Sequence, residues 1–199
     1  MYRVEPTYSF GKLVYKGGAS KLSLQTSADL EGLAEGVFEG PKKPTLIERD
    51  GTVEVKWPKV WPWDWSRTSG AIKLREDVPW TIELRGGASD LRAELSRANL
   101  RAVDIAGGAS NVELELGRPV GVCAVRVAGG VSDFSLRRPA GVGVRVRIKG
   151  GASGLVLDTF RFESVGGLVR WESHGFAEAE AGYDLEIAGG ASSIRVAIA

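Results

Sequence analysis

"VDIAGGASNVELEL", residues 103–116, decides the fold because its central string recurs along the chain. Gly-Gly-Ala-Ser or Gly-Gly-Val-Ser starts at positions 17, 86, 107, 129, 150 and 189. The four copies from 86 to 150 are spaced by 21, 22 and 21 residues. An internal period of this size is typical of a solenoid, in which each repeat buries its apolar face against its neighbours.

Apolar residues alternate on both sides of each glycine pair. In the copy at 107 they are Val103 and Ile105 before the pair and Val112 and Leu114 after it. A period of two predicts β-strands with these residues facing inward. The phase changes by one residue across the motif, so we expect the chain to bend there.

The glycine pairs are predicted to form the structural corners, because glycine adopts positive φ freely. The corner residues are Gly17, Gly18, Gly86, Gly87, Gly107, Gly108, Gly129, Gly130, Gly150, Gly151, Gly189 and Gly190. The predicted fold is all-β, a right-handed parallel β-solenoid with coils of about 21 residues stacked from one copy to the next. We expect residues 1–199 to form one domain, less regular over 1–75 and regular over 76–199.

Outward charges test this stacking. If equivalent residues of successive copies are neighbours about 4.8 Å apart, Asp104 faces Arg126, and Arg137 faces both Glu115 and Asp158. Arg126 would then face Arg147, a like pair that counts against the same register.

Three segments depart from the repeat. "TLIERDGTVEVKW", residues 45–57, predicts a hairpin with a type I′ turn at Asp50-Gly51. Residues 27–38 are expected to form one short helix. "SVGGLVRW", residues 164–171, is interpreted as a degenerate copy of the corner motif.

Four of the six tryptophans lie within nine positions, at Trp57, Trp61, Trp63 and Trp65. In an extended backbone they share a face with the valines of the preceding strand. We expect them to cap the hydrophobic core, with Trp57 and Trp61 mostly buried. Trp61, Trp63 and Trp65 are the candidate binding residues, for self-association or for stacking on a sugar.

Composition excludes several function classes. Lys and Arg number 26 against 25 Asp and Glu, so no overall field attracts nucleic acid. No apolar stretch is long enough to insert in a membrane, and no signal peptide is recognisable, which predicts a cytoplasmic location by default. Cys123 and His174 are the only residues of their kinds, so neither an internal disulfide nor a Cys/His zinc site is expected. We expect Cys123 to be a small buried hydrophobic residue and His174 to lie in a loop.

No catalytic residue, metal site or cofactor is predicted, because no nucleophile, base and orienting group occur in a recognisable pattern. One enzymatic alternative stays open. Some β-helix enzymes cleave acidic polysaccharides with acids that bind Ca²⁺ and an Arg or Lys base on one outer sheet. The residues that would serve polysaccharide binding or processing here are Asp104, Arg126, Arg147 and Asp158, and paired carboxylates of Asp158 with Glu163 and Glu172.

The repeat unit, the closing segment "LVRWESHGFAEAEAGYDLEIAGGASSIRV" (168–196) and the "WPWDW" loop (61–65) resemble bacterial β-solenoid domains described as adhesins of unknown function. They are also similar to toastrack domains of cell-envelope stress proteins. The resemblance implies a β-solenoid without established catalytic residues, and a sensing, scaffolding or interaction role near the envelope.

The predicted function is therefore a non-enzymatic interaction or scaffold module, with a protein, a second copy or a glycan as partner. A second alternative is end-to-end assembly into filaments. It rests on the segment "SSIRVAIA", residues 192–199, which is read as a strand whose edge only Arg195 guards.

Overall fold

The computed structural model describes residues 8–17, 19–41, 43–58 and 69–199, and all regular secondary structure in these ranges is β-strand. The strands are β1 (Gly11–Lys16), β2 (Ala19–Ser27), β3 (Ala34–Glu39), β4 (Thr45–Arg49), β5 (Thr52–Lys56), β6 (Ser69–Arg75), β7 (Pro79–Arg85), β8 (Ala88–Leu95), β9 (Asn99–Ile105), β10 (Ala109–Leu116), β11 (Val122–Val127), β12 (Val131–Arg138), β13 (Gly143–Ile148), β14 (Ala152–Leu157), β15 (Phe160–Val165), β16 (Val169–Glu172), β17 (Gly182–Ile187) and β18 (Ala191–Ile198).

Two nine-stranded sheets face each other. Sheet A has the order β16-β13-β17-β11-β9-β7-β1-β5-β4, and sheet B has the order β15-β14-β18-β12-β10-β8-β2-β6-β3. A coil is a strand of sheet A followed by a strand of sheet B, as in β9–β10. Coils pair in parallel with their neighbours, whereas the outermost strands β3, β4, β15 and β16 pair antiparallel. The predicted all-β solenoid is confirmed.

The coils do not stack in chain order, which corrects the expectation that each copy lies beside the next. Coil β17–β18 is inserted between β11–β12 and β13–β14. Coil β1–β2 is likewise inserted between β5–β6 and β7–β8. Strand β18 therefore has partners on both sides, and the residues around Arg195 are not the open edge on which the filament alternative relied.

The core lies between the sheets, where the sequence places it. The two apolar residues before each glycine pair and the two after it are all 3 % exposed or less. The alanine or valine that follows the glycines is also buried in the copies at 86, 107, 129, 150 and 189. Alternation with period two is sufficient to predict this, because only one face of each strand can face the opposite sheet.

The corners differ in mechanism from the prediction. Gly18 lies outside the described residues; of the other corner glycines, Gly17, Gly86 and Gly151 have positive φ. The residue that adopts the left-handed conformation in every copy is the fourth after the first glycine: Lys21, Asp90, Asn111, Asp133, Gly154 and Ser193. This single residue produces the change of phase. The first glycine is needed for another reason, which is the close approach of neighbouring coils. A Cβ on Gly107 would lie only 2.7 Å from the amide nitrogen of Gly87 in the neighbouring coil.

The N-terminal hairpin is confirmed. Strands β4 and β5 pair antiparallel, and the turn residues Asp50 and Gly51 have φ of 47° and 76°, as a type I′ turn requires. The short helix expected over 27–38 is wrong. Gly32 and Gly36 weaken a helix, and the segment instead supplies β3, whose backbone groups pair with β6.

At the opposite end of the stack, the segment 164–171 forms a corner that leads from sheet B to sheet A, whereas the other glycine corners lead from sheet A to sheet B. After β14 the chain turns back at Asp158 and Thr159, so β15 pairs antiparallel with β14 in sheet B. The chain then passes through Gly166 and Gly167 to β16 in sheet A. The segment is thus not another coil: it forms the last pair of strands in the stack.

Candidate interaction surface

The end of the stack formed by β3 and β4 is covered. Leu30 and Leu33, between β2 and β3, are both buried, and Leu33 is part of the hydrophobic core. The Leu33 amide donates a hydrogen bond to Glu48 Oε2 at 3.0 Å, and the Tyr8 hydroxyl donates to the other oxygen of Glu48. Arg75 Nη1 donates to the Leu30 carbonyl at 3.3 Å. These contacts hold the covering segment in place.

The end formed by β15 and β16 carries exposed apolar side chains instead. Phe160, Phe162 and Leu168 are 56 %, 37 % and 50 % exposed. Trp171 is half-buried, and its ring meets that of Phe160 edge-to-face at 6.3 Å between centroids. We call these four residues the aromatic end. A group of large apolar side chains left in solvent is characteristic of an interaction site.

The aromatic end continues the core face of both sheets. Phe162 lies opposite the buried Leu155 in the β14–β15 register, and Trp171 lies opposite the buried Val146 in the β13–β16 register. Directly opposed residues of an antiparallel pair share a face. These rings therefore have the position of core residues, but no further coil covers them within the described chain.

A buried ion pair fixes the turn that leads into this end. Arg138 Nη1 and Nη2 donate to the two carboxylate oxygens of Asp158 at 2.8 and 2.7 Å, and Arg138 Nε donates to the Val142 carbonyl at 2.8 Å. The predicted neighbour of Asp158 was Arg137. That prediction is wrong, because Ala197 of the inserted β18 lies beside Arg137. Arg138 instead reaches from β12 past β18 to the turn after β14.

The charged ladder on the outer face of sheet A is explained by the inserted coil. Asp104 and Arg126 are neighbours and form an ion pair at 3.5 Å, as predicted. Glu186 of β17 lies between Arg126 and Arg147, so the like pair that counted against the register does not form. Arg147 Nη2 lies 3.1 Å from Glu186 Oε2. In sheet B, Glu115 and Arg137 are also neighbours, as predicted.

Asp184 is the most enclosed carboxylate of this face. Its Oδ2 atom lies 2.8 Å from Arg145 Nη2 and 2.9 Å from Arg147 Nη2. Burial acts to raise the pKa of Asp184, but the hydrogen bonds and charges of the two guanidinium groups outweigh it and hold the pKa below its usual value. Asp104, Asp184 and Glu186 are thus each paired with cationic side chains of this face.

The paired carboxylates considered for catalysis are not brought together. Asp158 is held by Arg138, Glu163 lies on β15 in sheet B, and Glu172 lies on β16 in sheet A. Cys123 is buried, and burial, followed by the charge of Asp104, raises the pKa of its thiol to about 12. His174 is exposed in a turn.

Among the described residues, no group of three or more His, Cys, Asp or Glu side chains is arranged to hold a metal ion. The same ranges contain no helix of the length and hydrophobicity that a membrane crossing requires.

The tryptophan candidates divide between described and undescribed parts of the chain. Trp61, Trp63 and Trp65 lie outside the described residues. Trp57 follows β5 and is partly buried against the core. Its ring meets Tyr15 edge-to-face at 6.0 Å between centroids.

Sequence reasoning missed the aromatic end and Arg138. The signal that would have found the end is the pair Asp158-Thr159 between two alternating runs, Leu155 to Leu157 and Phe160 to Phe162. Two turn-forming residues between alternating segments indicate a hairpin, and a hairpin reverses the coil.

Comparison with known proteins agrees with this fold. Residues 12–137 match the family model for the N-terminal domain of toast_rack, DUF2154. Among solved structures, the chain is similar to the crystal structure of a putative cell adhesion protein from Clostridium sporogenes ATCC 15579. The TM-score is 0.68 at 19 % sequence identity, over 96 % of this chain and 93 % of that chain. None of the curated proteins matches. The family match and the shared fold agree with the observed β-solenoid.

Proposed function

The chain belongs to the family of toast-rack N-terminal domains, DUF2154, and from this premise we propose that it is a non-catalytic module that binds its partner through the aromatic end. The observation that carries the proposal is the exposure of Phe160, Phe162 and Leu168 on one end of the stack, while Leu30 and Leu33 cover the other end. Because Phe160, Phe162 and Leu168 are already about half buried, covering the rest of each is favourable by roughly half of the 1.5–3 kcal/mol expected for a fully exposed side chain, or a few kcal/mol in all.

The cell envelope is the proposed site of action. The solved structure with the same fold is described as a putative cell adhesion protein, which supports an adhesive or envelope-associated role for this chain as well. A binding site at the end of a solenoid suits such a role, because it leaves both sheet faces free.

Polysaccharide binding or processing on the outer face of sheet A has less support. Asp184 and Glu186 each face two cationic side chains of β13 or its corner, and Asp104 faces Arg126. An arginine or lysine that is paired with a carboxylate is held in its protonated form, so it is not expected to act as the base for proton abstraction.

Cosedimentation with washed bacterial cell envelopes tests the proposal. We expect the wild-type chain to bind saturably, and the double variant Phe160→Ser/Phe162→Ser to bind at least tenfold more weakly. Val120→Ser/Val122→Ser is the matched control, because it removes two exposed apolar side chains elsewhere. The proposal fails if the wild-type chain does not bind, or if both double variants bind equally well.

A further inference from the structure

The two outermost strands at the aromatic end carry the same pattern of residues. Strand β15 contains Arg161-Phe162-Glu163, and strand β16 contains Arg170-Trp171-Glu172. In both strands the aromatic ring is on the core face, so the flanking arginine and glutamate project to the outer face of the sheet. One end of the molecule thus presents two arginine-aromatic-glutamate triplets, one in each sheet.

These triplets are largely unpaired. Within the described chain, Arg161, Glu163 and Arg170 form no ion pair, and Glu172 has a single contact of 3.9 Å with Arg145. The strands are also the outer edges of their sheets, so the backbone groups on their far sides have no strand partner in the described chain. An unpaired edge is a template for another strand.

We propose that a second copy of this chain occupies the aromatic end, in a closed twofold dimer in which β15 pairs antiparallel with β15 and β16 with β16. The inference rests on the proposed function and names its partner. In an antiparallel pairing centred on Phe162, Arg161 faces Glu163 of the second copy, and Glu163 faces Arg161. In a β16 pairing centred on Trp171, Arg170 of each copy likewise faces Glu172 of the other copy. Opposite charges directly across an antiparallel pair stabilise the pairing, whereas like charges destabilise it.

One axis can serve both sheets. Phe162 lies three residues before the end of β15 at Val165, and Trp171 lies two residues after the start of β16 at Val169. Both strands flank the same corner at Gly166 and Gly167, so the two centres differ by one residue, or about 3.3 Å. A twofold axis inclined by about 18° to the sheet normal, which corresponds to 3.3 Å over the distance of about 10 Å between the sheets, passes through both centres, and each sheet continues into its own equivalent.

The geometry also predicts the strength and size of the assembly. Strand β15 has six residues and is about 20 Å long. The end of the stack is also about 20 Å wide, because the sheets lie about 10 Å apart and side chains project outward from both. Its area is therefore about 400 Å² per copy. The total of about 800 Å² lies below the usual range of stable interfaces, so we expect a reversible, micromolar dimer. An isologous contact closes at two copies, and the opposite end is covered by Leu30 and Leu33.

Charge reversal in sedimentation velocity experiments tests the register. Arg161→Glu places a carboxylate opposite each Glu163, and Glu163→Arg places a guanidinium group opposite each Arg161, so each variant alone should dimerise at least tenfold more weakly. An equimolar mixture of the two single variants should regain dimerisation, because opposite charges then face each other. The double variant Arg161→Glu/Glu163→Arg should dimerise like the wild type. Both positions are exposed, and unchanged melting temperatures would verify folding.

The outcomes separate this inference from the proposed function. A mixture that stays monomeric, or a mass that grows beyond two copies, overturns the twofold dimer. If the chain is monomeric but still binds envelopes through Phe160 and Phe162, the dimer is refuted and the proposed function stands. If the dimer forms but envelopes are not bound, the second copy is the partner and the envelope role is refuted.

Discussion

Replacing Asp158 by asparagine should destabilise the protein far more than replacing Asp104, although each carboxylate pairs with one arginine. The Arg138 side chain is 2 % exposed and that of Asp158 20 %, whereas those of Arg126 and Asp104 are 59 % and 38 % exposed. Removing one charge from a buried pair leaves the other uncompensated and costs about 3–5 kcal/mol. An exposed pair at 3.5 Å is expected to contribute less than about 1 kcal/mol.

Asparagine is the right replacement because it tolerates the positive φ of 52° at position 158, so the variant isolates the loss of charge. At about 2–4 °C per kcal/mol for a chain of this size, Asp158→Asn should lower the melting temperature by about 6–20 °C. Asp104→Asn should lower it by at most about 4 °C. Thermal unfolding followed by far-ultraviolet circular dichroism measures both. Equal shifts in the two variants would refute the argument that Arg138 and Asp158 anchor the turn.

Two further predictions concern the corners and the ladder of sheet A. Gly129→Ala should destabilise the protein by about 1–3 kcal/mol, because the added Cβ would lie 2.6 Å from a backbone nitrogen of the neighbouring coil. Gly130→Ala should cost clearly less, because its Cβ would lie 3.3 Å from a carbonyl oxygen. Equal urea midpoints would contradict this. The folded-state pKa of Asp184 is lowered, so its contribution to stability is complete above the unfolded pKa near 3.9 and is lost as pH falls through the folded pKa. Asp184→Asn should therefore lose stability relative to wild type at pH 7 and approach it as the pH falls below about 4; a constant difference down to pH 2 would contradict the lowered pKa.

The inward residues and the N-terminal hairpin were predictable because their signals are local. Alternation around each glycine pair identifies the core face, and Asp50-Gly51 identifies the turn. Coil order was not predictable in this way, since every copy presents the same face to either neighbour. The sequence did contain one clue: Arg126 and Arg147 would repel as neighbours, and Glu186 is the residue that separates them.

The candidate surface was missed for a related reason. Phe160, Phe162 and Trp171 have the alternation of core residues, so sequence patterning alone assigns them to an interior. Their exposure depends on the reversal of the chain at Asp158, which leaves no coil beyond them in the described chain. A pattern can specify which face of a strand is apolar, but not whether another strand covers it.

The inserted position of β17–β18 has a consequence for biosynthesis. During translation, β11–β12 and β13–β14 emerge roughly 40 residues before the coil that finally separates them, an interval of about 2–8 s at 5–20 residues per second. During this interval their facing edges carry matching glycine corners, and a stack in chain order is the competing intermediate. That intermediate would place Arg126 against Arg147, and like charges directly opposite one another are destabilising, whereas in the folded chain Glu186 lies between them.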